Sequence, residues 1–245
     1  MNAFIANQDL SSIGFWEDAW KKHIETYLKA PPRTGYFIAS LFPDRSQKIL
    51  EIASGSSRDS LYLSSLGYNV TAVDFDLKTM YYLRKRLGLS LSMLCADAFH
   101  LPFKRKSFDI SFSNGFWILF RRDEEIHHLI REQSVVTKKY LISLVHNSEN
   151  KQLVKLFEDK AKKDPLYNIR FFHRKELTDI IKDSGISYKS IQIKKFGGIT
   201  DVFLRNRVMN MPNLFQTFGK IIVPRLYELH PWSAVERIAC IVKLE

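Results

Sequence analysis

The chain has 245 residues, of which 45% are hydrophobic and 26% charged, and this balance predicts one globular domain with a substantial core. Its formal net charge of +11 comes from short, scattered basic pairs and triplets, which excludes a polybasic tail but leaves nucleic acid and other acidic partners open. No apolar run approaches the ~20 residues of a transmembrane segment, and neither a signal peptide nor a metal-binding cysteine pair is recognisable, so we expect a cytoplasmic protein without a metal.

Residues 1–45 open the chain with helical periodicity. Trp16, Trp20 and Ile24 recur at helix spacing, and Pro31-Pro32 ends the run. A tryptophan stripe of this kind is typical of core packing, while a wall against a positively charged ligand is the alternative. We therefore expect an N-terminal helical cap.

From residue 48 onwards, short apolar runs alternate with amphipathic helices, which predicts an α/β fold with a doubly wound, mostly parallel sheet. In such a sheet, ligands bind beyond the carboxyl ends of the strands. Cys95 and Cys240 each fall in a predicted strand, so we expect both to be buried free thiols. The strands are predicted at Lys48–Ala53, Asn69–Val73, Leu91–Cys95, Phe108–Phe112, Tyr140–Val145, Tyr188–Lys194 and Ile238–Leu244.

We divide the chain into the cap, a core of residues 46–198, an insertion of residues 199–232 and a last strand in residues 233–245. The insertion is too long for a turn, so we expect a lid or an added helical hairpin. Its apolar character predicts either a partly apolar pocket or a homodimer contact. The residues concerned are Phe203, Leu204, Met209, Met211, Leu214, Phe215 and Phe218.

The most informative stretch begins at the first predicted strand, which runs through small residues into a helix at Arg58-Asp59. About twenty residues later the second strand ends in Asp74. Small residues let the backbone approach a ligand closely, and a carboxylate at the next strand end can accept both ribose hydroxyls. The pattern predicts a nucleoside site at Asp74, and it predicts a helix N-cap at Asp76.

In this stretch the sequence resembles the class I S-adenosylmethionine-dependent methyltransferases, over roughly residues 45–195. In that family the first strand ends in an acidic residue followed by three alternating glycines. Glu51 matches the acid, whereas the glycine positions read Ala53, Gly55 and Ser57. All three are small, so close backbone approach is retained.

Three later segments extend the resemblance in the family's order. The segment 95–103 resembles the one whose aspartate, here Asp97, contacts the adenine amino group. The segment 106–115 resembles the fourth strand, whose end lines the cofactor site, and 171–185 resembles the helix that follows the fifth strand.

The resemblance implies a Rossmann-like sheet of seven strands with the last one antiparallel, and S-adenosyl-L-methionine as the cofactor. His146, at the end of the fifth strand, is the candidate general base. The candidate cofactor-binding residues are Glu51, Ala53, Ser54, Gly55, Asp74, Phe75, Asp97, Ala98, Ser113 and Asn114.

The predicted reaction is methyl transfer to an oxygen, nitrogen or carbon of a small molecule, either anionic or partly apolar. An RNA methyltransferase is one alternative, although Ser113-Asn114-Gly115-Phe116 lacks the Pro-Pro-aromatic motif of enzymes that act on exocyclic base amines. A non-catalytic cofactor-binding protein is a second, because two glycines are replaced. A nicotinamide oxidoreductase is a third, and the same missing glycines count against it.

Overall fold

The computed structural model describes residues 13–87, 91–198, 201 and 213–245. Seven strands form one sheet in the order β3-β2-β1-β4-β5-β7-β6. All neighbouring strands are parallel except β7, which runs antiparallel to both β5 and β6. The strands are β1 (Lys48–Ile52), β2 (Asn69–Asp74), β3 (Ser92–Cys95), β4 (Phe108–Asn114), β5 (Thr137–His146), β6 (Tyr188–Phe196) and β7 (Arg237–Leu244).

This sheet confirms the predicted fold, and each predicted strand ends within three residues of the observed one. None of the described helices is long and apolar enough to cross a membrane. The helices are α1 (Ile13–Lys29), α2 (Arg33–Leu41), α3 (Arg58–Ser65), α4 (Leu77–Leu87), α5 (Asp123–Val136), α6 (Lys151–Ala161), α7 (Arg174–Asp183) and α8 (Asn213–Leu226).

The core lies on both faces of the sheet, as a doubly wound fold requires. On one face, apolar residues of α2, α3 and α8, among them Phe37 and Leu63, pack against the strands. On the other face, α5 and α7 bury the apolar stripes that their periodicity predicts, including Ile130 and Ile181. Gly185 follows α7 with a φ of 78°, the left-handed conformation of a residue that ends a helix.

The insertion before β7 contains a helix, α8, followed by short 3₁₀ turns at Tyr227–Leu229 and Trp232–Ala234. The side chains of all seven apolar residues expected to line a pocket or a dimer contact there lie outside the described part of the chain. Phe203, Leu204, Met209 and Met211 lie outside the described residues, and so do the side chains of Leu214, Phe215 and Phe218.

The prediction of two buried thiols is right for Cys240 and wrong for Cys95, which is exposed. Cys95 ends β3, which lies at the edge of the sheet and pairs only with β2. A short edge strand has one flank open to solvent, so an apolar run does not ensure burial there. Leu94 beside it is also exposed.

Candidate functional site

The turn after β1, residues 53–57, has an unusual backbone. Ala53, Gly55 and Ser57 alternate in the left-handed region, with φ of 54°, 49° and 51°. These are the three positions at which the resembled family carries glycine. A side chain in this conformation costs roughly 1–2 kcal/mol, and this turn adopts it at two non-glycine residues, Ala53 and Ser57. We call these five residues the Gly55 turn.

Asp74, at the end of β2, joins that strand to the Gly55 turn. One of its carboxylate oxygens accepts the Gly55 N–H at 2.7 Å, and the other accepts the Asp76 N–H at 3.1 Å. Burial raises the pKa of Asp74 above its ordinary value. The carboxylate predicted to bind a ribose therefore lies directly against the turn predicted to approach the ligand.

Trp20 of α1 lies on the Gly55 turn. A Cβ atom added at Gly55 would lie 2.3 Å from Cζ2 of Trp20, so only glycine permits this contact. Salt bridges and hydrogen bonds tie α1 to α4, including Lys78 with Glu17 at 2.6 Å. The expectation of core packing is wrong for Trp20, because its side chain is half-buried on the turn and not part of the core.

Glu51 is buried at the end of β1 and faces the start of α3. Its carboxyl group accepts hydrogen bonds from the backbone N–H of Ser60, at 3.1 Å, and from the Ser60 hydroxyl. Burial and the nearby carboxylate of Asp59 raise the pKa of Glu51. In the structure Glu51 therefore supports the helix that follows the turn.

We expect Glu51→Gln to stabilise the protein more at pH 8 than at pH 5. The pKa of Glu51 is raised above 4.5 in the folded protein, which therefore binds more protons than the unfolded chain above that pH. Stability is thus lost as the pH rises towards the raised pKa, and glutamine removes this loss. Thermal melting should show an increase of several degrees at pH 8, at about 2–4 °C per kcal/mol.

Glu158→Gln is the matched control for this melting experiment, because Glu158 is exposed. It should leave the melting temperature unchanged at both pH values. A Glu51→Gln variant with the same melting shift at pH 5 and pH 8 would show that the carboxyl group does not titrate in this range.

The other predicted cofactor residues lie at the same edge of the sheet, in different surroundings. Asp97 is exposed, and its carboxylate accepts the Phe99 N–H at 2.9 Å. Ser113 is buried and hydrogen-bonded to Ser143. Asn114 accepts a hydrogen bond from Arg237, a residue of β7. Ser54 is buried in the Gly55 turn, while Phe75 and Ala98 are half-buried near the ends of β2 and β3.

Asp76 shows that one carboxylate in this region has a structural role. It accepts the N–H groups of Lys78 and Thr79 at 3.0 and 3.2 Å, at the start of α4. The helix N-cap predicted for Asp76 is confirmed.

His146 lies buried at the end of β5, with its ring 5.0 Å from that of Phe157 and 5.5 Å from that of Phe171. Burial, together with the charge of Arg237, lowers the pKa of His146 well below its ordinary value, so the ring is neutral at neutral pH. A catalytic role of His146 stays a prediction.

A cavity of about 320 Å³ opens at the same edge of the sheet, and Arg58, the residue that follows the Gly55 turn, is part of its lining. Helices α1 and α2 and the first residue of β7 form its walls, and His146 is not among the described residues that line it. We call it the Arg237 cavity. Its described lining comprises Tyr27, Ala30, Pro31, Arg33, Thr34, Arg58, Asn114, Phe196, Gly198, Asp201, Glu236 and Arg237.

Most of these lining residues were not predicted from the sequence as site residues. Because β7 is antiparallel, its first residue, Arg237, pairs with His146 at the carboxyl ends of the parallel strands. The sequence pattern that could have indicated this charged lining is the acid–base pair Glu236-Arg237, which comes directly before a strand predicted to be antiparallel.

The geometry fits a nucleoside-type cofactor. The Gly55 turn presents close backbone, and the Asp74 carboxylate, which has about four acceptor positions, uses some of them for backbone N–H groups, those of Gly55 and Asp76 among them. Acceptor capacity therefore remains on this carboxylate for ribose hydroxyls.

Comparison with known proteins gives one family match. The profile described as "Methyltransferase domain" matches residues 50–140, which run from β1 into β5 and include the Gly55 turn, Asp74 and Asp97. No curated protein matches the sequence.

Several solved structures share the fold over almost the whole chain. One is a chain of the Haloferax volcanii complex that contains the Trm112 methyltransferase activator, with 15% identity, a TM-score of 0.66 and coverage of 95% of this chain and 97% of that one. A Thermotoga maritima S-adenosylmethionine-dependent methyltransferase has 17% identity and a TM-score of 0.57, and 94% of each chain is covered.

A third structure is the 1,6-didemethyltoxoflavin-N1-methyltransferase of Burkholderia thailandensis, with bound 1,6-didemethyltoxoflavin and S-adenosylhomocysteine. It has 14% identity and a TM-score of 0.59, with coverage of 95% of this chain and 86% of that one. At these identities the likeness concerns the fold.

Proposed function

We propose that the chain is a class I S-adenosylmethionine-dependent methyltransferase and that it methylates a small molecule held in the Arg237 cavity. The observation that carries this proposal is the cavity itself. Its volume of about 320 Å³ lies within the range of small-molecule sites, and its lining includes Arg58, which follows the Gly55 turn. The walls formed by α1 and α2 favour a small acceptor over a polymer.

For the cofactor, we propose a site that runs along the carboxyl ends of β1, β2 and β4. Asp74 would accept the ribose hydroxyls, and Asp97 would accept the adenine amino group. The Gly55 turn would lie against the middle of the cofactor. Support comes from the hydrogen bonds that hold Asp74 against the turn and from the exposure of Asp97. Glu51, Ala53, Ser54, Phe75, Ala98, Ser113 and Asn114 complete the proposed site.

The bound cofactor supplies an activated methyl group, so the chain's own task is to align the acceptor with it. A general base is needed only when the acceptor must lose a proton. His146 is our candidate for that case. Its support is a neutral ring whose Nδ1 is buried without a hydrogen-bond partner among the described residues.

RNA is the alternative acceptor, because a net charge of +11 favours binding to a phosphate backbone. A non-catalytic protein that only binds the cofactor is the other alternative.

Incubation with methyl-labelled S-adenosylmethionine separates these three functions. We expect wild-type protein to bind the cofactor, with NAD as the control that does not bind, and to transfer label to a compound in a panel of small anionic and aromatic molecules. Label in added RNA instead would favour the RNA alternative. Binding without turnover on any acceptor would indicate a cofactor-binding protein, and no binding would contradict the proposed function.

A further inference from the structure

The described wall of the Arg237 cavity carries more positive than negative side chains. Three arginines, Arg33, Arg58 and Arg237, line it together with two acidic residues, Asp201 and Glu236. The described part of the wall therefore has an excess of one positive charge.

The two acidic residues are already engaged with partners. Glu236 contacts Arg33 at 2.8 Å and Arg237 at 3.3 Å, and Asp201 contacts Arg33 at 3.3 Å. The Tyr227 hydroxyl donates to the other oxygen of Asp201 at 2.6 Å. Burial would raise the pKa of Glu236, but Arg237 and Arg33 lower it to about 2, so this carboxylate stays ionised. Arg33 is held between two carboxylates and has little capacity for a ligand.

Arg58 and Arg237 are less completely satisfied. The Nε atom of each is buried and donates no hydrogen bond in the described part of the chain, although the Nε of Arg237 lies 3.3 Å from the Glu236 carboxylate. Arg58 contacts the Asp59 carboxylate at 3.6 Å and donates an N–H to the Tyr27 carbonyl at 3.1 Å. Arg237 donates an N–H to Asn114. A buried donor without an acceptor is costly, so these two guanidinium groups would gain from an anion.

The charges of the three arginines also oppose one another. Burial lowers the pKa of Arg237, and the positive charges of Arg33 and Arg58 lower it further, although Glu236 opposes them. A negative charge in the cavity would relieve this repulsion. Apolar side chains lie beside the charges, since Tyr27, Pro31 and Phe196 belong to the same wall.

We propose that the Arg237 cavity is an anion subsite that holds the methyl acceptor by a carboxylate or phosphate group, bound by Arg237 and Arg58. The acceptor is then a small anion with an apolar part that lies against Tyr27 and Phe196. This inference rests on the proposed function, because it assigns the acceptor's class at the same site. The carboxylate of the cofactor is the other source of such a group, and the experiment below distinguishes the two.

The test is calorimetry on the full chain, with inorganic phosphate and benzoate as probes in the presence of saturating S-adenosylhomocysteine. We expect at least one probe to bind wild-type protein, and Arg237→Gln to weaken it tenfold or more. Lys243→Gln is the matched control, because Lys243 lies exposed on the same strand and its replacement removes the same charge. Arg58→Gln, on a different element, is the second variant in case Arg237→Gln does not fold.

A second pair of ligands identifies the source of the anion. S-adenosylhomocysteine should bind Arg237→Gln within about twofold of its wild-type affinity, as should 5′-methylthioadenosine, which lacks the carboxylate. If S-adenosylhomocysteine alone weakens tenfold, the group belongs to the cofactor and the inference is wrong. It is also wrong if neither probe binds, or if both arginine variants bind the probes as wild type does. A wild-type protein that binds no S-adenosylhomocysteine would instead contradict the proposed function.

Discussion

Asp74→Ala should weaken the binding of S-adenosylmethionine about 100-fold or more, measured by calorimetry. Two hydrogen bonds from ribose hydroxyls to a buried carboxylate would be lost, and such bonds to a charged group contribute roughly 1.5–3 kcal/mol each. The variant also removes the acceptor of the Gly55 N–H, so we expect some loss of stability. Binding should therefore be measured well below the melting temperature of the variant.

Asp76→Ala is the matched control for this variant. Asp76 is as buried as Asp74 and lies two residues away, but its side chain caps α4. Its loss should cost about 0.5–2 kcal/mol of stability and change cofactor affinity only a few-fold. If both variants lost binding equally, the effect would come from disruption of the strand end and not from a ribose contact.

Gly55→Ala should reduce cofactor affinity tenfold or more. The added Cβ would lie 2.3 Å from the Trp20 ring, and it would project from a residue with a φ of 49°. The left-handed backbone costs roughly 1–2 kcal/mol with any side chain, and the contact forces α1 to move. In the proposed site this turn lies against the cofactor, so its distortion would weaken binding.

Gly67→Ala isolates the backbone cost, because Gly67 has a φ of 91° and no atom within 4 Å of its added Cβ. We expect it to lower the melting temperature and leave affinity unchanged. The double variant Gly55→Ala/Trp20→Ala should recover stability without recovering affinity. Full recovery of binding would show that Trp20, and not the ligand, requires glycine at this position.

The fold was predictable because it depends on periodicity, which is local. Apolar runs of five to seven residues, most of them separated by amphipathic helices, specify the strands and crossovers, and the seven runs match the seven strands of the described sheet. The proximity of Asp74 to Gly55 followed from the same logic, because parallel strands bring their carboxyl ends to one edge.

The Arg237 cavity was not predictable in this way. Arg33 and Glu236 form an ion pair although 203 positions separate them, and no local pattern links them. The contact of Trp20 with Gly55 depends on how α1 crosses the sheet edge, which helical periodicity leaves open. Cys95 was wrongly predicted for a related reason, since its exposure depends on the order of the strands.

The left-handed backbone of Ala53 affects how proteins with this turn can be recognised from their sequences. Glycine there would avoid the steric cost of a Cβ, roughly 1–2 kcal/mol, but would add about 0.5–1 kcal/mol of chain entropy to the cost of folding. The net advantage of glycine is thus small enough to be lost among other contributions to stability. A search pattern that requires glycine at this position would reject a chain whose backbone satisfies it.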